Sequence, residues 1–288
     1  MEAYILSITS IDQMQQESTR LLQAGKTIAF VPTMGWLHEG HLALMREGRR
    51  LGDALIVSIF VNPTQFGPAE DFQTYPRDLD RDLNLAKSVG VDVIFAPEVG
   101  AMYDKAFQTH VDLEMLPRHL CGPSRPGHFR GVATVVTKLF NIVRPHVAIF
   151  GEKDYQQLAI IRRMVRDLSL NIRVIGVPTV RESDGLAMSS RNTYLSEDER
   201  RSAQSLFHSL KQAQESVAEG IRDAEKLIRR ASGLIGSHPH VKIDYVSICD
   251  PETLEDVDRI EGAALMALAV WVGKTRLIDN AILKPIAD

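Results

Sequence analysis

Cysteine is scarce in this chain, and long apolar runs are lacking. Cys121 and Cys249 are its two cysteines, too few for a disulfide framework, and neither belongs to a Cys-x-x-Cys pair that would indicate a zinc site. No run approaches the roughly 18 apolar residues of a membrane-spanning helix. The first residues lack the basic region and apolar stretch of a signal peptide, so we expect a soluble, cytoplasmic protein with no membrane partner.

An excess of positive charge is also lacking. The 33 basic and 37 acidic residues give a net charge of -4, which provides no general attraction to nucleic acid. We therefore expect no nucleic-acid partner, and any anionic ligand must bind at a local site. At 288 residues with 44% hydrophobic residues, the chain can bury the core of one large or two modest domains.

The most informative segment is residues 32–41, Pro-Thr-Met-Gly-Trp-Leu-His-Glu-Gly-His. It follows the apolar run at 28–31 and precedes residues 42–51, whose apolar positions fit one face of a helix. This pattern predicts a strand, a glycine-containing turn and the start of a helix. The backbone N–H groups and the positive dipole at a helix N-terminus can bind phosphate.

Two glycines and two histidines give this segment its chemistry. Gly35 and Gly40 can bring the backbone close to a ligand because they carry no Cβ atom. His38 and His41 would lie on one side of the first helical turn, where either could donate to phosphoryl oxygens. Either histidine alone would more often be a helix cap or a surface residue, and it is the whole ten-residue segment that favours a ligand-binding role.

The first part of the chain alternates strands and helices, which predicts an α/β fold with a Rossmann-like, doubly wound parallel sheet. In such sheets ligands bind beyond the carboxyl ends of the strands. Polar loops begin at three of those ends, at 32–41, 62–67 and 151–154. The predicted strands are 26–31, 54–61, 91–96, 147–150 and 171–177, and the predicted helices are 11–24, 42–51, 78–89, 132–143 and one that begins at 151–154.

The character of the chain changes at Pro178. Ser196 and Glu199 form a capping box before a long apolar-striped helix, and a second helix is predicted near 224–235. Strands predicted at 241–248, 264–272 and 275–283 complete a second, smaller α+β domain. We therefore expect two domains, 1–178 and 179–288.

Three polar segments keep alternative interpretations. Lys153 could neutralise phosphate and Asp154 could accept from ribose hydroxyls, or they could be an exposed lysine and an N-cap. Residues 98–131, which contain Arg-Pro-Gly-His-Phe-Arg-Gly at 125–131, fit either a mobile surface loop near an anionic ligand or an ordinary solvated loop. Residues 188–191, Met-Ser-Ser-Arg, could bind phosphate oxygens, although such a string is common in loops.

Residues 32–41 resemble the HxGH signature of the nucleotidyltransferase superfamily and, over their full length, that of the pantothenate synthetase (pantoate–β-alanine ligase) family. The resemblance covers nearly the whole chain. It includes further motifs in the family's order, which are 60–66 (FVNPTQF), 75–77 (YPR), 125–131 (RPGHFRG), 138–143 (KLFNIV), 151–154 (GEKD), 156–157 (QQ), 188–192 (MSSRN) and 275–280 (TRLIDN).

The resemblance implies ATP-dependent condensation of (R)-pantoate with β-alanine to pantothenate, a step of coenzyme A biosynthesis. The pantoate carboxylate would attack the α-phosphorus to give pantoyl adenylate and pyrophosphate, and the β-alanine amine would then displace AMP. Mg²⁺ is expected with the triphosphate, although the sequence shows no protein ligand set for a metal. The resemblance also implies a homodimer and a second domain that closes over the ATP site.

The family's site residues carry over position by position. His41 would be the acid that assists departure of pyrophosphate, with His38 and Lys153 as the other catalytic residues. Gln65 and Gln157 would bind pantoate with Asn62 nearby, and Gln65 would also touch the β-alanine position. Asp154 and Gly151 would hold the ribose, and the backbone at Val180 would meet adenine. The full set for ATP is Met34, Gly35, Trp36, Leu37, His38, Glu39, Gly40, His41, Gly151, Glu152, Lys153, Asp154, Val180, Met188, Ser189, Ser190 and Arg191.

Two departures from the family pattern are small, since neither lies among the implied ligands. His146 stands where Asp is common, and Tyr155 stands where Phe is frequent.

Three other functions compete with this one. A dinucleotide-forming HxGH enzyme would need a cationic site for the phosphate of its substrate, whereas Asn62 and Gln65 are neutral. A non-catalytic binding module would not need both histidines and Lys153, yet all three are present. A tRNA-handling protein would need a basic surface stripe, which this acidic chain lacks.

Overall fold

The computed structural model describes residues 5–68, 70 and 72–285. The chain forms two compact units. The first takes Met1–Glu114, Ser124–Glu152 and Ile160–Pro178, and the second takes Met115–Pro123, Lys153–Ala159 and Thr179–Asp288. The predicted division at residue 178 cuts the chain once, whereas the second unit also takes in two segments that precede that point.

The first unit contains a six-stranded sheet in the order β1-β4-β3-β2-β5-β6, with every neighbouring pair parallel. The prediction of a doubly wound parallel sheet is therefore confirmed. Its strands are rich in buried apolar residues because a parallel sheet is covered on both faces. They are β1 (Leu6–Ile8), β2 (Ile28–Thr33), β3 (Ala54–Ile59), β4 (Val93–Phe95), β5 (Val147–Gly151) and β6 (Arg173–Val177).

Helices cover both faces of this sheet. Ala29 and Val31 of β2 belong to the same buried cluster as Leu42 and Met45 of α2. Phe30 points the opposite way, as the period of a strand requires, and its ring packs edge-on against Phe140 of α5 with centroids 6.4 Å apart. The helices are α1 (Ile11–Gln23), α2 (Glu39–Leu51), α3 (Leu79–Ser88), α4 (Val99–Met102), α5 (His128–Val143) and α6 (Tyr155–Asp167), which runs from the second unit into the first.

The second unit is the predicted smaller α+β domain. Its strands β7 (Val241–Cys249), β8 (Ala264–Val272) and β9 (Thr275–Leu283) form an antiparallel sheet in that order. Helices α7 (Glu197–Ala218) and α8 (Ala224–Gly236) share one apolar core with the strands. The capping box of Ser196 and Glu199 is present at the start of α7.

Local differences from the predictions have identifiable causes. β1 was not predicted, and its three residues are a strand because they pair with β4. α2 begins at Glu39 rather than at residue 42, because His38 caps it. α5 begins at His128, so the end of the predicted loop is helical. Among the described residues, no helix is both long enough and apolar enough to span a bilayer.

Candidate active site

In the first unit, three polar segments begin at the carboxyl ends of the adjacent parallel strands β3, β2 and β5. β2 lies between β3 and β5, so the order of the strands reverses beside it. Ligands of open α/β sheets bind at such a reversal, beyond the carboxyl ends of the strands. Residues 34–38 follow the end of β2 there, Asn62–Gln65 follow β3, and β5 ends at Gly151.

His38 and His41 cap the start of α2 reciprocally. His38 is the N-cap residue, and its Nδ1 accepts the backbone N–H of Gly40 at 3.1 Å. Nδ1 of His41, three residues on, accepts the backbone N–H of His38 at 3.3 Å. The two rings lie side by side, with centroids 4.1 Å apart and planes inclined by 38°. Both predicted histidines are thus brought together at a helix N-terminus.

This capping arrangement assigns the tautomer of each neutral ring. A nitrogen that accepts an N–H bond carries no proton, so the proton of each ring lies on Nε2. Nε2–H is therefore the group with which each histidine can donate to a phosphoryl oxygen. The cap interpretation and the phosphate interpretation of these histidines are compatible, because each uses a different ring nitrogen.

The other residues of the 34–41 segment contribute in different ways. The Leu37 side chain is completely buried in the core of the first unit, and its backbone N–H and carbonyl are bonded to Asp82 and Arg81. The Glu39 carboxylate forms an ion pair with Arg46 at the surface, and this hydrogen bond lowers the pKa of Glu39. Gly35 and Trp36 both have left-handed backbone conformations, with φ of +80° and +50°.

Asn62 holds the Gln65 side chain. Its Nδ2 donates to Gln65 Oε1 at 3.0 Å and to the Gly131 carbonyl at 3.2 Å. Its Oδ1 accepts from the Tyr103 hydroxyl at 2.8 Å and from Thr64 Oγ1 at 2.9 Å. With the residue only 1% exposed and both ends of the amide bonded to protein, Asn62 is placed to orient Gln65 rather than to bind a ligand itself.

The Gln65 amide also contacts the loop at residues 34–38, called here the histidine loop, since its Nε2 lies 3.2 Å from Met34 Sδ. Tyr103, which sequence reasoning did not single out, supports this network, and burial raises the pKa of its hydroxyl. Gly131 is required there, because a Cβ atom at this position would lie 2.3 Å from the Thr64 carbonyl oxygen. Gly131 ends one of the quoted motifs, which is the only sequence signal of this role.

Residues 125–131 also stabilise the Asn62–Gln65 loop. Arg125 pairs with the Glu70 carboxylate at 2.7 Å, and His128 Nδ1 contacts the Gln65 carbonyl at 2.7 Å. Burial acts to raise the pKa of Glu70, but the hydrogen bond and charge of Arg125 outweigh it and the pKa is lowered. Arg125 is thus engaged by a carboxylate of the protein.

Gly151 and Glu152 end a segment of the first unit, and Lys153 and Asp154 begin one of the second. Lys153 and Asp154 lie in a 3-10 turn, Glu152–Asp154, that follows β5 and leads into α6. Lys153 Nζ lies 3.8 Å from Asp154 Oδ2, and the Lys153 carbonyl accepts from Asn280 Nδ2 at 2.9 Å. Both residues therefore occupy the predicted strand-to-helix junction.

A turn in the second unit gathers the other implied ATP residues. The backbone N–H of Met188 donates to the Val180 carbonyl at 3.0 Å. Ser189 caps a 3-10 turn, Ser190–Tyr194, by accepting the Arg191 backbone N–H at 3.3 Å. Arg181, next to Val180, donates two hydrogen bonds to the buried carboxylate of Asp279, at 2.7 and 3.0 Å.

Gln157 lies in the first turn of α6 and is half-buried. Its neighbour Gln156, the first residue of the same Gln-Gln motif, holds the surrounding backbone in place. Gln156 Oε1 accepts the Cys121 backbone N–H at 3.1 Å, and Nε2 donates to the carbonyls of Leu116 and His119 at 3.0 and 2.7 Å. Gln156 thereby ties the start of α6 to the segment Met115–Pro123.

Comparison with known proteins gives one consistent result. The model of the family described as pantoate-beta-alanine ligase matches residues 6–282. A relative named pantothenate synthetase, from Desulfatibacillum aliphaticivorans, is 61% identical over 272 residues, which cover 94% of this chain and 97% of the relative.

Solved structures agree. The crystal structure of pantothenate synthetase from Thermus thermophilus is 44% identical, with a TM-score of 0.93, and the match covers 98% of this chain and 100% of that one. Pantoate-beta-alanine ligase from Francisella tularensis is 34% identical, with a TM-score of 0.80 and coverage of 97% and 98%. That structure is described as complexed with beta-gamma ATP and beta-alanine.

Proposed function

This chain belongs to the pantoate-beta-alanine ligase family, and from that membership we propose that it joins (R)-pantoate to β-alanine in two steps driven by ATP. It is an enzyme of the ligase class. The first step forms a bond between a pantoate carboxylate oxygen and the α-phosphorus, and breaks the bond to pyrophosphate. In the second step the β-alanine nitrogen attacks the acyl carbon, AMP departs and the amine loses a proton. The description of the Francisella relative as a complex with beta-gamma ATP supports ATP as co-substrate.

The observation that carries this proposal is the reciprocal cap of His38 and His41. Both Nδ1 atoms are held by backbone N–H groups, which leaves Nε2–H as the donor on each ring at the start of α2. Donors that are positioned before the reaction stabilise charge that develops on departing phosphate oxygens. We assign His41 as the acid that assists pyrophosphate departure and His38 as a phosphate donor.

The remaining roles follow from the family resemblance. Lys153 would neutralise phosphate charge, and Ser189, Ser190 and Arg191 would donate to phosphate oxygens. Asp154 and Gly151 would hold the ribose, and the Val180 backbone would meet adenine. Gln65 and Gln157 would bind pantoate, with Asn62 orienting Gln65. No step needs a protein nucleophile, so the rate enhancement would come from positioning and charge stabilisation.

We propose that Mg²⁺ accompanies the triphosphate. In the described ranges, no group of three or more His, Cys, Asp or Glu side chains is arranged to hold a metal ion. We assign no step to a protein-bound ion. A cytoplasmic location and a homodimer are likewise proposals that rest on family membership.

The test is exchange of labelled pyrophosphate into ATP in the absence of β-alanine. We expect exchange that requires pantoate, because only the adenylation step can run in reverse under those conditions. Exchange without pantoate, or its absence when the complete mixture makes pantothenate, would contradict a pantoyl adenylate. His41→Ala should abolish the exchange while the variant remains folded.

A further inference from the structure

A buried carboxylate from a distant helix holds the loop that leads into the two histidines. Asp82 of α3 is 1% exposed. Its Oδ2 accepts the Trp36 backbone N–H at 2.7 Å, and its Oδ1 accepts the Leu37 backbone N–H at 2.8 Å. These two bonds fix consecutive peptide groups immediately before His38, the N-cap of α2.

The loop needs such a clamp because its backbone is unfavourable by itself. Gly35 and Trp36 are both left-handed, a conformation that is disfavoured for a residue with a Cβ atom, such as Trp36. The space at Gly35 is also closed, since a Cβ atom there would lie 2.9 Å from Asp82 Oδ2 and 3.0 Å from Ile59 Cγ2. The carboxylate therefore selects one conformation of residues 35–37.

Arg81 strengthens the clamp from the neighbouring position. Its Nη2 donates to the Leu37 carbonyl at 2.8 Å, and its Nη1 lies 3.2 Å from Asp82 Oδ1. Its guanidinium stacks over the Trp36 ring at 4.8 Å from the centroid. Both polar groups of the Leu37 backbone are thus bonded to α3.

Burial of the Asp82 carboxylate opposes the stability that its hydrogen bonds provide. Burial raises the pKa of the Asp82 carboxyl, and Asp78 adds to the rise, although the N–H bonds from Leu37 and Trp36 and the charge of Arg81 oppose it. A group whose pKa is raised by folding stabilises the protein below its unfolded pKa and loses that contribution as the pH rises through the folded value. The stabilising contribution of Asp82 is therefore smaller at neutral pH than below its unfolded pKa.

We propose that Asp82 is a positioning residue for ATP binding, which fixes residues 35–37 so that His38 and His41 meet the triphosphate together. This inference rests on the proposed function. It predicts a defect that is specific to ATP, because Asp82 bonds the histidine loop and not the Asn62–Gln65 loop.

The direct test compares Asp82→Asn with Asp92→Asn. The Asp92 carboxylate also accepts a backbone N–H, from Leu55 at 2.7 Å, and pairs with Arg49 at 2.6 Å, but it lies at the amino end of β4. We expect Asp82→Asn to raise the KM for ATP by about tenfold or more, since an amide can accept only one of the two N–H groups. The KM for pantoate should change by less than about twofold, and Asp92→Asn should leave both KM values unchanged.

Fluorescence gives a readout that does not depend on activity. Trp36 and Trp271 are the two tryptophans of the chain, so Trp271→Phe leaves only the tryptophan of the loop. In that background Asp82→Asn should shift the emission of Trp36, and Asp92→Asn should not. A wild type that shows no pantoate-dependent exchange would refute the proposed function, while the emission shift would still test the clamp.

Arg81→Gln keeps the test decisive if Asp82→Asn does not fold, because the Arg81 side chain is 39% exposed and its loss is easier to tolerate. It should raise the KM for ATP by about threefold through loss of the bond to Leu37. The proposal is overturned if folded Asp82→Asn keeps the wild-type KM for ATP. Equal increases in the KM values of ATP and pantoate, in either variant, would overturn it as well.

Discussion

The side-chain amide of Asn62 donates to Gln65 Oε1 at 3.0 Å and to the Gly131 carbonyl at 3.2 Å. If Asn62 acts on pantoate through Gln65, the two residues form one unit. Asn62→Ala and Gln65→Ala should each raise the KM for pantoate more than that for ATP. The double variant should be little worse than the poorer single variant, because substitutions within one network are not additive. Steady-state kinetics of the four proteins measure this coupling, and fully additive effects would show that Asn62 binds pantoate independently.

Two substitutions of His38 separate its cap role from its donor role. Asparagine is a favourable N-cap residue and alanine is not, while neither supplies Nε2–H. We expect His38→Asn to keep nearly the wild-type melting temperature, and His38→Ala to lose about 1 kcal/mol of stability. Both should slow pyrophosphate exchange to a similar extent, by roughly 10²-fold or more. Full activity in His38→Asn would mean that the histidine serves only as a cap.

The buried ion pair of the second unit should contribute strongly to stability. Asp279 is 2% exposed and binds Arg181 through both oxygens, so Asp279→Ala leaves a partly buried cation without its partner. Loss of one member of such a pair costs about 3–5 kcal/mol. Glu225→Ala breaks the exposed Glu225–Arg229 pair of α8 and should cost less than about 1 kcal/mol. Urea unfolding of the two variants provides the comparison, and equal losses would contradict the assigned difference in burial.

Gly131 should not tolerate a side chain. The Cβ of Gly131→Ala would lie 2.3 Å from the Thr64 carbonyl oxygen, a backbone atom that cannot move without shifting the Asn62–Gln65 loop. We expect lower thermal stability together with a higher KM for pantoate. Gly233 of α8 has no atom within 4 Å of its Cβ position, so Gly233→Ala should stabilise the helix by about 0.5–1 kcal/mol. A neutral Gly131→Ala would show that the loop has room to adjust.

The parts of the fold that were predicted correctly carry local signals. Residues 28–31 and 54–57 are continuous apolar runs in buried parallel strands, and Ser10 and Ser196 mark the starts of α1 and α7 as N-caps. β1 carries no such signal, because its three residues become a strand only by pairing with β4. The second unit also takes in two segments that precede residue 178, whereas a boundary read along the chain assumes that each domain is continuous.

The candidate site shows the same limit. The motif at 32–41 identified His38 and His41, but their Nδ1 caps depend on backbone angles that a motif does not contain. Asp82 lies more than forty positions beyond the loop that it holds. Tyr103 and Gly131 also lie far from Asn62 along the chain, and the fold brings them within hydrogen-bonding distance of it. Residues that position other residues are therefore difficult to predict from the sequence, because their partners are distant along the chain.

The central claim is that the pantoate carboxylate attacks the α-phosphorus of ATP, and the most direct measurement follows the oxygen atoms of that carboxylate. Pantoate labelled with oxygen-18 in its carboxyl group is converted with ATP and β-alanine, and the products are analysed by mass spectrometry. We predict that AMP carries one oxygen-18 atom for each pantothenate formed, because the bridging oxygen of the adenylate leaves with AMP. Unlabelled AMP, or oxygen-18 in inorganic phosphate with release of ADP, would contradict the mechanism.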